Sequence, residues 1–356
     1  VIDLSMKLIN GQLCSGNGRP LFLGGASQGT WGTTTPYDAK WLAGLKSKIT
    51  RRPIRWCGLY GGKNIDCRDD SQPGNMMADH LDQFIAEIRS DRDSGQRTVV
   101  TGDTNNGQSG TQNQATRDYG EDPNRWPYDP RFPGPWPDGR NLYTDGSWLE
   151  KYIQMWEHLA QRLVDEGLDD GCIFEPLAEP LAGRDATWAP KVVAVYVRIM
   201  DAIKAIIPNA IFLIGPRDAY NLSHVEEVII PGRDDYMITG DLFWHVNSDE
   251  ATVKAKWTGI YKHGLAVATK FLKVLMIQQY GCRTADDPDG RYRIYGYQQF
   301  LANKTHAMTW QVRQNTPQTS EFALIVRNMP DGPDIFKDAD IAIAANYWAA
   351  MDALNA

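Results

Sequence analysis

The chain has 356 residues, with 37 basic against 44 acidic side chains for a net charge of −7, and 42% hydrophobic content. This is ordinary globular composition, and an acidic balance without a basic cluster argues against nucleic-acid binding. No stretch approaches the roughly 18–20 apolar residues of a membrane span, so a neutral or weakly charged partner is expected.

Apolar runs of strand length alternate with segments of helical periodicity along the whole chain. In chain order, strands are predicted at 20–26, 54–59, 98–103, 172–179, 211–215, 237–245, 274–279 and 322–326. The helices between and after them are predicted at 37–46, 76–92, 148–166, 189–207, 224–229, 250–271, 295–314 and 339–354. Eight strands in alternation with eight helices is the count of a (β/α)8 TIM barrel, an α/β fold, and residues 1–356 read as one such domain. Gly24-Gly25 weakens the first strand.

The longest interruption, 104–147, is rich in Gly, Asn, Pro and aromatics, including Trp126-Pro127-Tyr128 and Pro133-Gly134-Pro135-Trp136-Pro137. Prolines stiffen such a loop and exposed tryptophans are costly, so it is expected to form an ordered wall of a binding cleft. Twelve Trp and fifteen Tyr supply flat faces of the kind that hold sugar rings, although most rings in any protein are core.

Five cysteines fit no zinc spacing. Cys57 and Cys67 flank a Gly-rich turn and could pair, whereas Cys172 and Cys282 are expected to be free and buried. The first residue is Val1 and no signal peptide is visible, which reads as a processed N-terminus.

In barrels of this class chemistry sits at the C-terminal ends of the strands. Asp103, Asn105, Glu179, His245 and Gln279 fall there, and Arg55 lies within the second predicted strand. The other histidines (His80, His158, His224, His263 and His306) fall on or at the start of predicted helices, where packing or solvation is expected. The run Ile173-Phe174-Glu175-Pro176-Leu177-Ala178-Glu179-Pro180 ends a buried strand in a carboxylate. Partial burial of Glu179 would favour its protonated form, as a general acid needs. Glycosidic hydrolysis also needs a second carboxylate, yet the matching run Val274-Leu275-Met276-Ile277-Gln278-Gln279-Tyr280-Gly281 presents an amide.

These motifs resemble those of clan A glycoside hydrolases, most closely the cellulase-like family five. Ala178-Glu179-Pro180 resembles the family's Asn-Glu-Pro, which carries the acid/base, and Gln279-Tyr280-Gly281 resembles the nucleophile motif with Gln in place of Glu. Ile54-Arg55 is similar to the family arginine that orients the nucleophile, and Trp244-His245 to its substrate-binding histidine. Asp103-Thr104-Asn105 resembles a family Asp-x-His, with Asn for His. The resemblance implies a secreted, monomeric, cofactor-free endo-glycanase that cleaves β-glycosidic bonds of a polysaccharide with retention. It implies Glu179 as acid/base and position 279 as nucleophile. Arg55, Asn105, His245 and Tyr280 are the implied substrate-binding side chains, and Trp31, Trp136 and Trp244 are the candidates for the cleft's aromatic floor.

There are departures. Ala178 cannot supply the family's amide near the sugar 2-hydroxyl, and the predicted last strand, 322–326, lacks the platform tryptophan, Trp310 falling on the helix before it. Three explanations of Gln279 stand open. It is an inactivating substitution that keeps substrate bound, a natural loss of hydrolysis with retained binding, or a sign that Glu175 or Asp103 serves as second carboxylate. A non-catalytic carbohydrate-binding barrel is the alternative function. Asp286-Asp287-Pro288-Asp289-Gly290 has only part of a calcium-loop pattern and reads as a polar turn, with no metal expected. Gly24-Gly25 and Gly61-Gly62 match no phosphate-binding fingerprint.

Overall fold

The computed structural model describes residues 3–27, 36–54, 57–60, 63–66, 71, 74, 76–102, 142–143, 146–180, 186–283, 286–310, 313–314, 324–327 and 334–356. Within them, eight parallel strands close into a barrel in sequence order. These are β1 (Gly24–Ser27), β2 (Ile49–Ile54), β3 (Arg97–Gly102), β4 (Cys172–Glu175), β5 (Ile211–Ile214), β6 (Tyr236–Phe243), β7 (Leu275–Gly281) and β8 (His306–Trp310). Around them lie α1 (Pro36–Gly44), α2 (Ala78–Asp93), α3 (Gly146–Asp165), α4 (Ala189–Ile206), the single turn α5 (Arg217–Tyr220), α6 (Glu250–Lys270), α7 (Arg291–Ala302) and α8 (Asp338–Ala353). The expected TIM barrel is therefore observed.

Helix starts follow local chemistry. Asp249 caps α6 by accepting from the Thr252 amide at 3.0 Å. The acidic turn before α7 has the same use: Asp287 is fully buried and accepts from the backbone amides of Tyr292 and Arg293, both at 3.1 Å. Its carboxylate is spent on the helix end, as befits the polar turn expected there.

Strand alternation divides the core in two. One side chain set, including Ile49, Val99, Ile173, Leu213, Met237, Met276 and Met308, clusters apart from the larger one. An N-terminal hairpin, Met6–Ile9 paired with Gln12–Ser15, adds Met6 and Leu13 to this smaller cluster. The larger cluster joins the alternate strand residues, such as Val100, Phe174, Phe212 and Ile277, to the helices.

Two strands depart from expectation. The second strand lies at Ile49–Ile54, five residues before the predicted run, while Cys57–Tyr60 pairs with Lys63–Asp66 in a separate antiparallel hairpin. The reason is ionic. Arg51 and Arg52 are each only 1% exposed, because each meets a carboxylate: Glu175 for Arg51, Asp91 and Glu87 for Arg52. A strand with two adjacent arginines reads as surface unless those partners are known.

The eighth strand is His306–Trp310, not 322–326, and α7 stops at Ala302. Lys304, with φ 53, turns the chain through the left-handed region and ends the helix. Of the predicted last strand, Ile325–Arg327 joins a small sheet with Arg313–Gln314 and Asp334–Phe336. His306 thus starts a strand rather than riding a helix. Its Nδ1 accepts from the Leu23 amide at 3.1 Å, and burial pushes its imidazole down to about 4, so it stays a neutral acceptor.

Gly25 on β1 is fixed by close approach, since a Cβ there would meet the Ile49 carbonyl oxygen of β2 at 1.8 Å. Gly25→Ala is expected to destabilise by about 1–3 kcal/mol or more, read as a lower denaturant midpoint at unchanged slope. An unchanged midpoint would mean that β1 and β2 can separate at no cost.

Candidate active site

The polar residues of the barrel interior lie above its apolar layer, towards the C-terminal strand ends. Along β2, β3 and β4, Ile49, Val99 and Ile173 belong to the inner cluster, and two residues further along each strand come Arg51, Thr101 and Glu175. Arg51 grips Glu175 with two parallel bonds, Nε to Oε2 at 2.6 Å and Nη2 to Oε1 at 3.1 Å. Thr101 Oγ1 donates to the same carboxylate at 2.5 Å and Tyr220 Oη at 2.7 Å. Burial opposes the charge on Arg51, but Glu175 beside it outweighs this and raises the guanidinium above its ordinary range. Burial, then the Glu175 charge, pushes the Tyr220 phenol well up, so it remains a donor. Glu175 is fully buried with every contact taken, which rules it out as the second carboxylate.

Glu179 lies four residues past Glu175, in a bend rather than on the strand. The bend is tied down residue by residue. Tyr152 Oη donates to the Pro176 carbonyl at 2.9 Å, and Tyr196 and Tyr220 both reach the Leu177 carbonyl. The Ala178 amide then donates to the Gly102 carbonyl at 3.0 Å. Glu179 itself sits at φ 44, a left-handed conformation that side chains with a Cβ adopt at a cost of about 1–3 kcal/mol. The surrounding phenols hold that strained residue in place.

On the facing strands, a register shift between Gly240 and Asp241 sets Asp241 of β6 opposite Gln279 of β7. Gln279, 3% exposed, donates through Nε2 to Glu179 Oε1 at 2.8 Å. Gln278, fully buried, donates through Nε2 to Asp241 Oδ1 at 2.6 Å. Burial, then the nearby Glu179 charge, pushes the Asp241 carboxyl well above the usual range. Glu179 and Gln279 are therefore joined directly, with Asp241 opposite Gln279 on the neighbouring strand.

No family model matches the sequence, and no curated protein matches it. Many solved structures do match in shape. They include an endogalactoceramidase (14% identity, TM-score 0.67, covering 96% of this chain and 84% of that one). Thermotoga maritima Cel5A in complex with mannotriose gives 13% identity and a TM-score of 0.63, covering 91% and 97%. An endoglucanase gives 10% identity and a TM-score of 0.64 with the same coverage. The chain has a glycoside hydrolase-like barrel fold. At these identities the likeness speaks for fold alone.

The predicted site residues fare differently. Glu179 and Gln279 come together. His245 follows β6 and is exposed. Trp244 and Tyr280 are corrected from cleft to core: they are 2% and 0% exposed. Trp244 stacks on Trp257 of α6 at 4.6 Å, and its Nε1 donates to Tyr280 Oη at 2.9 Å. Both follow the outward face of their strands, where aromatic area is covered by helices. Arg55 lies past the end of β2 and, with Trp31, Asp103, Asn105, Trp136, Cys67 and most of the 104–147 loop, falls outside the described residues. The arginine seen inside the barrel is Arg51. Cys172 and Cys282 are free and buried as expected.

Two residues escaped the sequence reading. Trp310 ends β8, half-buried, which corrects its placement on a helix and gives the last strand a terminal tryptophan. The cue was the turn-forming Asn303-Lys304 before it. Asp241 was passed over because it lies inside a strand rather than at its end. Among the described residues no group of three or more His, Cys, Asp or Glu is placed to hold a metal ion, and no helix is long and apolar enough to cross a membrane.

Proposed function

We propose that the chain is a secreted, monomeric glycoside hydrolase of one catalytic domain. It acts endo on the β-glycosidic bonds of a polysaccharide and follows the retaining route. Glu179 is the acid/base and position 279 the nucleophile seat. The observation that carries this reading is the 2.8 Å contact between Gln279 and Glu179, residues 100 apart in sequence that meet at the barrel mouth. The structural neighbours, an endoglucanase and an endogalactoceramidase, support the endo sense.

In this reading a sugar enters between the two side chains and opens them towards the roughly 5–5.5 Å of a retaining pair. Glu179 protonates the departing oxygen, then takes a proton from water. The amide of Gln279 cannot become a glycosyl ester, so the chain as it stands holds substrate without completing the first step. Trp310 offers its ring to a sugar face, and His245 a hydrogen bond to a hydroxyl.

One observation favours a second reading, a carbohydrate-binding barrel without hydrolysis. Gln279 acts as a donor to Glu179, a role that an ionised glutamate could not fill.

Calorimetric titration with oligosaccharides from β-glucans, mannans and bacterial exopolysaccharides tests what the two readings share. One class is expected to bind, and Trp310→Ala to weaken it roughly tenfold, or about 1.4 kcal/mol. Failure of every class to bind would remove both readings together.

A further inference from the structure

We propose that Asp241 binds hydroxyls of the sugar unit lying between Glu179 and position 279, a role that rests on reading the mouth as a glycan site. Gln278 is the positioning residue that holds Asp241 for that task. The wall so built selects a neutral sugar and refuses a uronate.

Strand β7 carries one residue more than its neighbours match. Gly240 of β6 pairs with Ile277 and Asp241 with Gln279, while Ala307 of β8 pairs with Ile277 and Thr309 with Tyr280. Both neighbours thus put the extra residue at Gln278-Gln279, a β-bulge. Ile277 and Tyr280 belong to the outer cluster and Met276 to the inner one. Two successive side chains, Gln278 and Gln279, are therefore left on the inner side of the wall. Gln279 donates to Glu179 at 2.8 Å and Gln278 to Asp241 at 2.6 Å. The bulge gives each of two carboxyls an amide donor of its own.

Alternation along β6 turns Asp241 inwards as well, since Met237 lies in the inner cluster and Ile238 and Leu242 in the outer one. The backbone here is pinned. A Cβ at Gly240 would meet the Leu222 side chain at 2.3 Å, and Asn221 forms a bridge with Asp241. Asp241 is half-buried, as Glu179 is, whereas Gln278 is fully buried. The carboxyl thus meets the mouth and the amide stays behind it. Gln278 Oε1 has no hydrogen-bond partner among the described residues. An amide buried with an idle acceptor is a poor space-filler, and an apolar side chain of the same size would pack there without that cost. What Gln278 supplies is its one donor bond to Asp241.

The chemistry of the wall names the class of sugar. A carboxyl oxygen accepts from hydroxyls, which a sugar ring offers in adjacent pairs. Burial and then the Glu179 charge already raise the Asp241 carboxyl, so the wall resists further negative charge. The cation of the inner wall, Arg51, is committed to Glu175 by two bonds. Beyond β7, Arg283 is paired with Asp286 at 2.6 Å. On its other side β6 adjoins β5, which offers only Ile211, Phe212, Leu213 and Ile214. Among the described residues no inner-wall cation is left to receive a sugar carboxylate. A uronate would set a third carboxyl against two, and such like-charge contact is how a site refuses the wrong partner.

Two matched pairs of β-1,4-linked probes isolate the charge: cellotetraose against tetraglucuronate, and mannotetraose against tetramannuronate. The members of each pair differ only in oxidation at C6. Calorimetric titration of the chain as it stands is expected to show binding of at least one neutral tetramer, with its uronate bound at least about tenfold more weakly. Asp241→Asn should weaken the neutral tetramer about tenfold, as loss of a charge-assisted acceptor does. It should also narrow the neutral-to-uronate ratio by at least about threefold. Gln278→Met removes only the donor behind Asp241. It should weaken the neutral tetramer about threefold or more at an unlowered denaturant midpoint.

A uronate bound as tightly as its neutral counterpart, or a ratio indifferent to Asp241→Asn, overturns the proposal. An affinity that falls in Gln278→Met only in step with the midpoint means a packing role and also counts against it. The two variants stand on different strands, so failure of one to fold leaves the other decisive. Binding of none of the four probes removes the substrate class assigned to this wall. The hydrolase and binding-barrel readings would then stand or fall on the wider panel of oligosaccharides.

Discussion

Gln279→Glu is expected to release reducing ends from at least one β-linked polymer, at least about 10³-fold faster than the parent chain, the scale on which loss of a covalent nucleophile acts. The reason lies in the 2.8 Å contact at this position. A second carboxyl there cannot ionise alongside Glu179 at such range, so one proton stays with the pair. Position 279 takes the negative charge and Glu179 the proton, the division of labour that retention requires. In this background Glu179→Ala should cut turnover of an unactivated polymer by about 10²–10⁴-fold. The first step on substrates with good leaving groups should survive. Equal losses on both substrate kinds would argue against Glu179 as the acid. Binding without any new reducing ends would favour the carbohydrate-binding barrel.

Arg51→Met is expected to destabilise the fold by about 3–5 kcal/mol, the usual consequence of removing one partner from a buried ion pair. The guanidinium is 1% exposed and its carboxylate partner is fully buried. Methionine fills the stem volume but leaves Glu175 with only the hydroxyls of Thr101 and Tyr220. Chemical denaturation reads this as a lower midpoint. Arg51→Met combined with Glu175→Gln should recover part of the loss, because no unpaired charge is then buried. A single-variant loss below about 1 kcal/mol would mean that water or another cation reaches Glu175, and the account of the barrel interior would be wrong.

The barrel itself was legible because alternation of strand-length and helix-length apolar runs survives in the sequence. Six strands lie close to where periodicity puts them. The two misplaced ones fail for reasons of tertiary chemistry. Arg51 and Arg52 look solvated until Glu175, Asp91 and Glu87 are brought across from elsewhere in the chain. The short β8, His306–Trp310, follows α7 so closely that one helical run seemed to cover both. Of the site, the residues at strand ends were readable, since the fold dictates where chemistry emerges. Asp241 was not, because its place beside Gln279 depends on a register shift that no spacing rule reveals. Trp244 and Tyr280 were misjudged because an aromatic next to a site residue lies, by strand alternation, on the other face of the sheet.

The bend that carries Glu179 is moored to Tyr152, Tyr196, Tyr220 and the Gly102 carbonyl, none of them on β7. The bend keeps these moorings whatever residue stands at 279, although Gln279 itself touches Glu179. Glutamine and glutamate codons differ at one base. On the proposed hydrolase reading, a lineage with this architecture would pass between cutting and merely grasping a glycan by a single nucleotide change.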